Sequence, residues 1–118
     1  MKTIRRHTIS FVNAFNGIIW AIKTQPNFRV HLTFALIALV LGAVLRVTYI
    51  EMILLIMVIV FCLSVEMVNT SIEAMTDLIE EKWHYKAKIA KDVSAGMMLL
   101  AALGAVLTGG FIFLPRIF

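Results

Sequence analysis

Polar residues recur at helical spacing immediately after a long apolar run. The run covers residues 53–65, contains no charged residue, and is followed by Glu66. The polar stripe consists of Glu66, Asn69, Thr70, Glu73 and Asp77. On one continuous helix its members lie within roughly 60° of Glu66. A carboxylate at membrane depth costs roughly 2.5–3.5 kcal/mol and therefore normally faces protein or water. The stripe indicates either a helix end that emerges into solvent or a site for a charged partner at the lipid–water boundary.

The stripe is rich in oxygen atoms that bind hard cations. Glu73 and Asp77 are four residues apart on the same helical face, and Gln25 can approach from the preceding segment. Mg²⁺ favours oxygen ligands and is commonly held by one or two carboxylates together with substrate phosphates. These residues therefore favour a site for a metal–phosphate complex.

Two further features suit phosphoryl transfer. Lys91, beside Asp92 at the start of an apolar segment, can meet phosphates as a point charge. Glu66 lies deeper in the stripe, where a carboxylate partly removed from water is a better general base. Together these residues suit transfer of a phosphoryl group from a water-soluble donor to a hydroxyl at the membrane surface.

The composition indicates one small membrane domain over residues 1–118. The chain is 61% hydrophobic, with a mean hydropathy of +0.94. Residues 30–48, 49–69 and 93–114 are each long enough to span a bilayer, and backbone groups in lipid must bond internally, so we predict three transmembrane helices. Residues 4–23 have helical periodicity with polar interruptions, which predicts an amphipathic helix at the membrane surface. The predicted fold is therefore an all-α membrane protein.

Basic residues are distributed unevenly along the chain. Nine Lys and Arg residues precede the first predicted span or lie between the second and third, whereas two lie on the other side. The positive-inside rule then places the N-terminus and the polar stripe in the cytoplasm. Because this distribution accounts for the net charge of +4, no nucleic-acid partner is predicted.

The connections between the segments are short. Pro26 disfavours a helical residue before it, which predicts a break before the first span. Residues 45–51 form the turn of a tight antiparallel hairpin, in which we expect Arg46 and Glu51 to be solvated. His31, near the start of the first span, is interpreted as an interfacial side chain.

Three motifs resemble those of the small prokaryotic diacylglycerol kinase and undecaprenol kinase family. Residues 66–77, EMVNTSIEAMTD, resemble its E-x-x-N-[ST]-[AS]-I-E-x-x-x-D signature. Ala90-Lys91-Asp92, followed by Ala95, is similar to its second motif. Residues 27–32, NFRVHL, resemble its N-[FM]-R-[IV]-H-L entry to the first span. The resemblance covers nearly the whole chain.

The resemblance implies a homotrimeric integral membrane kinase of the bacterial inner membrane, with sites shared between neighbouring subunits. Such an enzyme uses ATP and Mg²⁺ to phosphorylate undecaprenol or diacylglycerol, and the NFRVHL form slightly favours undecaprenol. By the same resemblance, Glu66 is the base that takes the lipid hydroxyl proton. Asn69 orients Glu66 or the substrate, and Glu73 binds the metal ion that bridges the ATP phosphates.

The resemblance also implies a set of nucleotide-binding residues. Asp77 helps to hold the nucleotide, Lys91 contacts phosphate, and Asp92 supports the nucleotide end of the site. His84 stands where the family often has an aromatic–His pair, which implies a nucleotide contact there.

One position departs from the family's pattern. Gln25 stands where many members have a Glu that serves as a second carboxylate for the metal. An amide oxygen coordinates Mg²⁺ without bringing charge, so we expect weaker metal binding that depends on Glu73, or one metal ion fewer. The alternatives are a lineage variant with ordinary activity and a copy that has lost activity.

Two functions of other classes compete with a lipid kinase. A catalytically silent membrane subunit of the same fold would pack as a trimer, assist other proteins and turn over no ATP. A small transporter would be lined by the polar stripe, but the carboxylates continue into the cytoplasm rather than toward the outer side.

Overall fold

The structure, a computed structural model, describes residues 2–79 and 82–118. Over these residues the chain forms helices and no strand. The helices are α1 (Lys2–Thr24), α2 (Pro26–Val44), α3 (Tyr49–Ile79) and α4 (Tyr85–Ile117). The last three are each long and apolar enough to cross a membrane. The predicted architecture of one N-terminal helix followed by three spanning helices is confirmed.

The break between α1 and α2 is a single residue. Gln25 has an extended backbone (φ −106°, ψ 103°), as expected for a residue that precedes proline. Pro26 occupies the first position of α2, where its missing N–H would have no helical partner in any case. The helix therefore begins before the predicted span of residues 30–48.

The other end of α2 also differs from the predicted span of residues 30–48. The helix ends at Val44, and the last residues of that span form the turn. Val47 N donates to Gly42 O at 3.1 Å, and Arg46 adopts a left-handed backbone with φ 55°. This reversal closes the hairpin tightly enough that the chain re-enters a helix at Tyr49.

A capping box begins α3. Thr48 Oγ1 accepts from Glu51 N at 3.2 Å and Glu51 Oε1 accepts from Thr48 N at 3.4 Å, so two backbone donors at the helix end are satisfied locally. The Glu51 carboxylate also binds both terminal nitrogens of Arg116, at 2.5 and 2.7 Å, which joins the start of α3 to the end of α4. The expectation that Glu51 is solvated is wrong, because its side chain is only 21% exposed and ion-paired.

The two roles of Glu51 can be separated by substitution. Glu51→Gln keeps a residue suited to the capping box and loses the ion pair, whereas Glu51→Ala loses both. We expect Glu51→Gln to lower the midpoint of thermal unfolding in detergent by a few degrees and Glu51→Ala to lower it further. Arg116→Gln should match Glu51→Gln, since it removes only the ion pair. Equal midpoints for Glu51→Ala and the wild-type protein would contradict this assignment.

Helix α3 carries the whole polar stripe. Its 31 residues run unbroken from Tyr49 to Ile79. At a rise of 1.5 Å per residue the helix is about 45 Å long, whereas a bilayer core is about 30 Å thick. The helix therefore continues well past Asn69, the end of the predicted span of residues 49–69.

Few side chains are buried inside the isolated chain. The central contact joins α3 and α4 through Cys62, Val65 and Ala101. Most large apolar side chains in the described part of the chain are exposed, as expected when lipid or neighbouring copies replace water as the surroundings. An apolar groove of about 1290 Å³ between α3 and α4 has no charged residue in its described lining, so it contributes no charge to the chemistry of the stripe.

Candidate active site

The deepest member of the polar stripe is buried. Glu66 is 4% exposed and lies on the part of α3 that also holds the buried residues Cys62 and Val65. His31 of α2 faces it, with Nε2 at 3.7 Å from Glu66 Oε2. The structure thus brings together two residues that the sequence analysis did not connect. The sequence feature that could have indicated this pairing is Glu66 itself. A carboxylate at membrane depth is costly, so it normally has a polar partner on another helix.

The second member of the stripe is tied to α4. Ser94 Oγ donates to Asn69 Oδ1 at 2.6 Å, and Ser94 is 2% exposed. The amide nitrogen of Asn69 is therefore the part of its side chain that can donate to a substrate or to Glu66. Sequence reasoning missed Ser94, because a lone serine in an apolar segment has no distinguishing pattern.

The middle members of the stripe differ in availability. The Thr70 hydroxyl donates to Glu66 O within α3 at 3.0 Å, so its proton is used by its own helix. Glu73 is exposed, and no ion pair in the described part of the chain uses its carboxylate. Glu73 is therefore the carboxylate of the stripe that is open to an external cation.

The four predicted nucleotide-binding residues lie together at the exposed end of the stripe, near Asp77. They line one cavity of about 290 Å³ between the end of α3 and the start of α4: Asp77, His84, Lys91 and Asp92. Lys82, Trp83 and Lys88 contribute to the same lining. Small-molecule sites usually measure about 300–1,000 Å³, so this cavity alone suits part of a nucleotide. It combines positive charge with an aromatic surface.

Two lysines of this cavity are paired with its two aspartates in the isolated chain. Lys91 Nζ lies 2.5 Å from Asp77 Oδ1, and Lys88 Nζ lies 2.5 Å from Asp92 Oδ2. All four side chains are between 42% and 66% exposed. Exposed pairs of this kind contribute about 0–1 kcal/mol, so a phosphate can displace a carboxylate from either lysine at little cost.

His84 has a structural role as well. Its Nδ1 accepts from Lys86 N at 3.1 Å, and the residue caps the N-terminus of α4. The side chain is therefore held at the edge of the cavity by its own helix. This explains its position there without a ligand.

The metal-binding prediction concerns Glu73 and Gln25. No group of three or more His, Cys, Asp or Glu residues that could hold a metal forms within residues 2–79 and 82–118. Gln25 Nε2 donates to Thr24 Oγ1 at 3.3 Å, which leaves its carbonyl oxygen as the ligand atom. A carboxylate and an amide oxygen are each ligand types that Mg²⁺ accepts together with phosphates and water. They do not form a protein-only cage.

Known proteins resemble this chain over most of its length. A sequence model of the family described as prokaryotic diacylglycerol kinase matches residues 12–113. A diacylglycerol kinase of Synechocystis sp. is 39% identical over 109 residues, which cover 91% of this chain and 62% of that protein. The chain thus spans less than two thirds of that relative's length.

Two other relatives match at similar levels. An undecaprenol kinase of Bacillus subtilis is 36% identical over 114 residues, which cover 97% of this chain and 93% of that protein. A diacylglycerol kinase of Escherichia coli is 32% identical over 95 residues, which cover 80% of this chain and 78% of that protein. With its four helices, its polar stripe and these matches, the chain belongs to the prokaryotic diacylglycerol kinase family.

Proposed function

We propose that the protein is an ATP- and Mg²⁺-dependent lipid kinase that phosphorylates the hydroxyl of undecaprenol or diacylglycerol. The observation that carries the proposal is the course of the polar stripe. It begins at the buried carboxylate of Glu66 and ends at Asp77, in a cavity that contains lysines. The two residues are about 17 Å apart along the helix axis. One helix therefore offers a base at membrane depth and charge for a nucleotide in water.

At the buried end, Glu66 receives the proton of the lipid hydroxyl. A carboxylate largely removed from water is a suitable general base for this step. The amide nitrogen of Asn69 donates a hydrogen bond that orients Glu66 or the acceptor, while its amide oxygen is held by Ser94. Because Ser94 and Glu66 are both buried, the acceptor hydroxyl would be held in a fixed geometry at this end.

At the exposed end, Lys91 exchanges Asp77 for a phosphate of the nucleotide. Asp77, Asp92 and His84 line the same cavity and support the nucleotide. Glu73 and the amide oxygen of Gln25 would hold Mg²⁺, which supplies neutralisation of the phosphate charge when bound. Phosphoryl transfer asks for positioning and charge neutralisation more than covalent chemistry, and these residues supply both.

We further propose a homotrimer whose sites are completed by neighbouring copies. Two features of the isolated chain support this assembly. Its nucleotide cavity is small, and large apolar faces of α3 and α4 are exposed. A second copy would cover apolar surface and add walls to the cavity.

The proposed orientation places the nucleotide end in the cytoplasm of a bacterial cell. The nine basic residues on the side of the N-terminus and of the α3–α4 connection support it, against two on the opposite side. ATP then reaches the exposed end of the stripe directly. The acceptor stays in the inner membrane.

A catalytically silent subunit is the second candidate, and one residue favours it. Gln25 brings no charge to a position where we expect a carboxylate in an active site. Such a subunit would fold and assemble as the kinase does. It would transfer no phosphate.

Transfer of phosphate from labelled ATP in reconstituted bilayers tests the proposal. Undecaprenol and diacylglycerol are offered in parallel, with Glu66→Gln as the inactive control and Ser64→Ala, an exposed site on α3, as the matched control. Transfer that is lost only in Glu66→Gln supports the kinase, and the preferred lipid identifies the acceptor. No transfer to either lipid by folded, oligomeric protein would favour the silent subunit.

Lys91→Ala should weaken binding of ATP and leave binding of the lipid unchanged. Loss of one charged hydrogen bond to phosphate is worth about 1.5–3 kcal/mol, which corresponds to a rise of roughly ten- to a hundredfold in KM for ATP. KM for each substrate is measured separately. Lys86→Ala removes the same charge from α4 outside the cavity lining and should have little effect. An effect of Lys91→Ala confined to the lipid would contradict its phosphate role.

A further inference from the structure

A titratable residue that has no role in the proposed reaction lies next to Glu66. The Glu66 side chain is 5% exposed, and its carboxylate lies 3.7 Å from the His31 imidazole. No other ion pair in the part of the chain that the structure describes reaches Glu66. A buried carboxylate without a partner is strongly destabilising, and His31 is the ionisable partner that the described residues offer Glu66.

The surroundings of His31 leave Glu66 as its polar partner. His31 lines a groove of about 320 Å³ whose other described lining residues are apolar side chains of α2, α3 and α4 and the thiol Cys62. The imidazole is 30% exposed, so it is partly accessible from outside the bundle while its Nε2 faces the carboxylate. Phe28 and Ala35, about one turn before and one turn after His31, are buried on the same side of α2.

We infer that His31 is a positioning residue that holds the Glu66 carboxylate in the orientation in which it receives the acceptor's hydroxyl proton. The inference rests on the proposed function. Nε2 faces Oε2, so Oε1 is the oxygen that can turn toward an acceptor. A contact to one oxygen limits rotation of the carboxylate plane. This orientation should raise kcat, the rate of the chemical step, and leave KM for ATP unchanged.

Substitution of His31 tests the role through kcat. His31→Leu keeps much of the volume and removes the polar contact, and it should lower kcat about ten- to a hundredfold while KM for ATP stays within about twofold of the wild-type value. His31→Gln places an amide nitrogen near the position of Nε2 and should recover most of the loss. Thr33→Ala, at an exposed site of α2, is the matched control. Unchanged kcat in His31→Leu would overturn the inference.

A double-mutant cycle shows whether His31 acts through Glu66. In the Glu66→Gln background, His31→Leu should cost no further activity, because the group it positions is already absent. An equal loss in both backgrounds would assign His31 an independent role and overturn the inference. Folding and oligomeric state are compared by size-exclusion chromatography of every variant.

Imidazole ¹⁵N NMR provides a second measurement that does not depend on turnover. The chain has three histidines, and Glu66→Gln should shift the ring signals of His31 and leave those of His7 and His84 unchanged. An unshifted His31 would overturn the inference even if His31→Leu fails to fold. No transfer by the wild-type protein would refute the proposed function, and with it this role of His31. Transfer with unchanged kcat in His31→Leu would refute the role of His31 alone.

Discussion

Glu66→Gln is expected to lower lipid phosphorylation by about 10²–10⁴-fold, the range that a general base contributes. The substitution keeps the size of the side chain and one acceptor oxygen, replaces the other oxygen with an NH₂ donor, and removes the group that takes up the proton. Initial rates with a saturating lipid and ATP measure the effect on kcat. The decrease in kcat should equal the decrease in kcat/KM, because Glu66 takes up the proton in the transition state and does not contribute to binding of the substrates.

The control for this result is the folded state of the variant. A neutral amide is less costly to bury than a carboxylate, so Glu66→Gln should assemble and resist thermal unfolding at least as well as the wild-type protein. A variant that retains more than about a tenth of the wild-type kcat would exclude Glu66 as the base. If Glu66→Gln is as stable as the wild-type protein, its loss of activity results from the missing base and not from unfolding.

Glu73→Ala is expected to raise the Mg²⁺ concentration that half-saturates activity by about ten- to a hundredfold. In the described part of the chain Glu73 is exposed and not used by any ion pair, so its loss removes a charged ligand without disturbing an internal contact. Activity is titrated with Mg²⁺ at fixed ATP. Binding of Mn²⁺ followed by EPR provides a readout that does not require turnover.

The position of Gln25 supplies the reciprocal experiment. Gln25→Glu adds the carboxylate that the family resemblance leads us to expect and should lower the Mg²⁺ requirement. Glu51→Gln removes a carboxylate at the opposite end of α3 and should leave that requirement unchanged. An unchanged Mg²⁺ dependence in Gln25→Glu would show that this position is not a metal ligand in this protein.

Much of the architecture follows from local sequence. Apolar runs of about 20 residues must form helices in lipid because their backbone groups have no other partners. The spacing of three and four residues between Glu66, Asn69, Glu73 and Asp77 places them on one face of any continuous helix. The break at Pro26 likewise depends only on the covalent geometry of proline. Each of these features was predictable because it involves residues close together along the chain.

The ends of the helices were less predictable. The predicted span of residues 30–48 overran the end of α2, because hydropathy does not detect the left-handed residue Arg46 that reverses the chain. The capping box of Thr48 and Glu51 is a local signal that sequence reasoning overlooked. Its recognition would have given Glu51 a structural role.

The helical character, the polar stripe and the asymmetry of charge follow from the sequence alone, since they depend on composition and period. Which residues of α2 and α4 meet the stripe depends on how the helices pack. Ser94 binds Asn69 across 25 residues and Arg116 binds Glu51 across 65 residues. His31 approaches Glu66 in the same way. The periodicity of a helix states which side chains share a face, but only the packing of one helix on another selects which two faces meet.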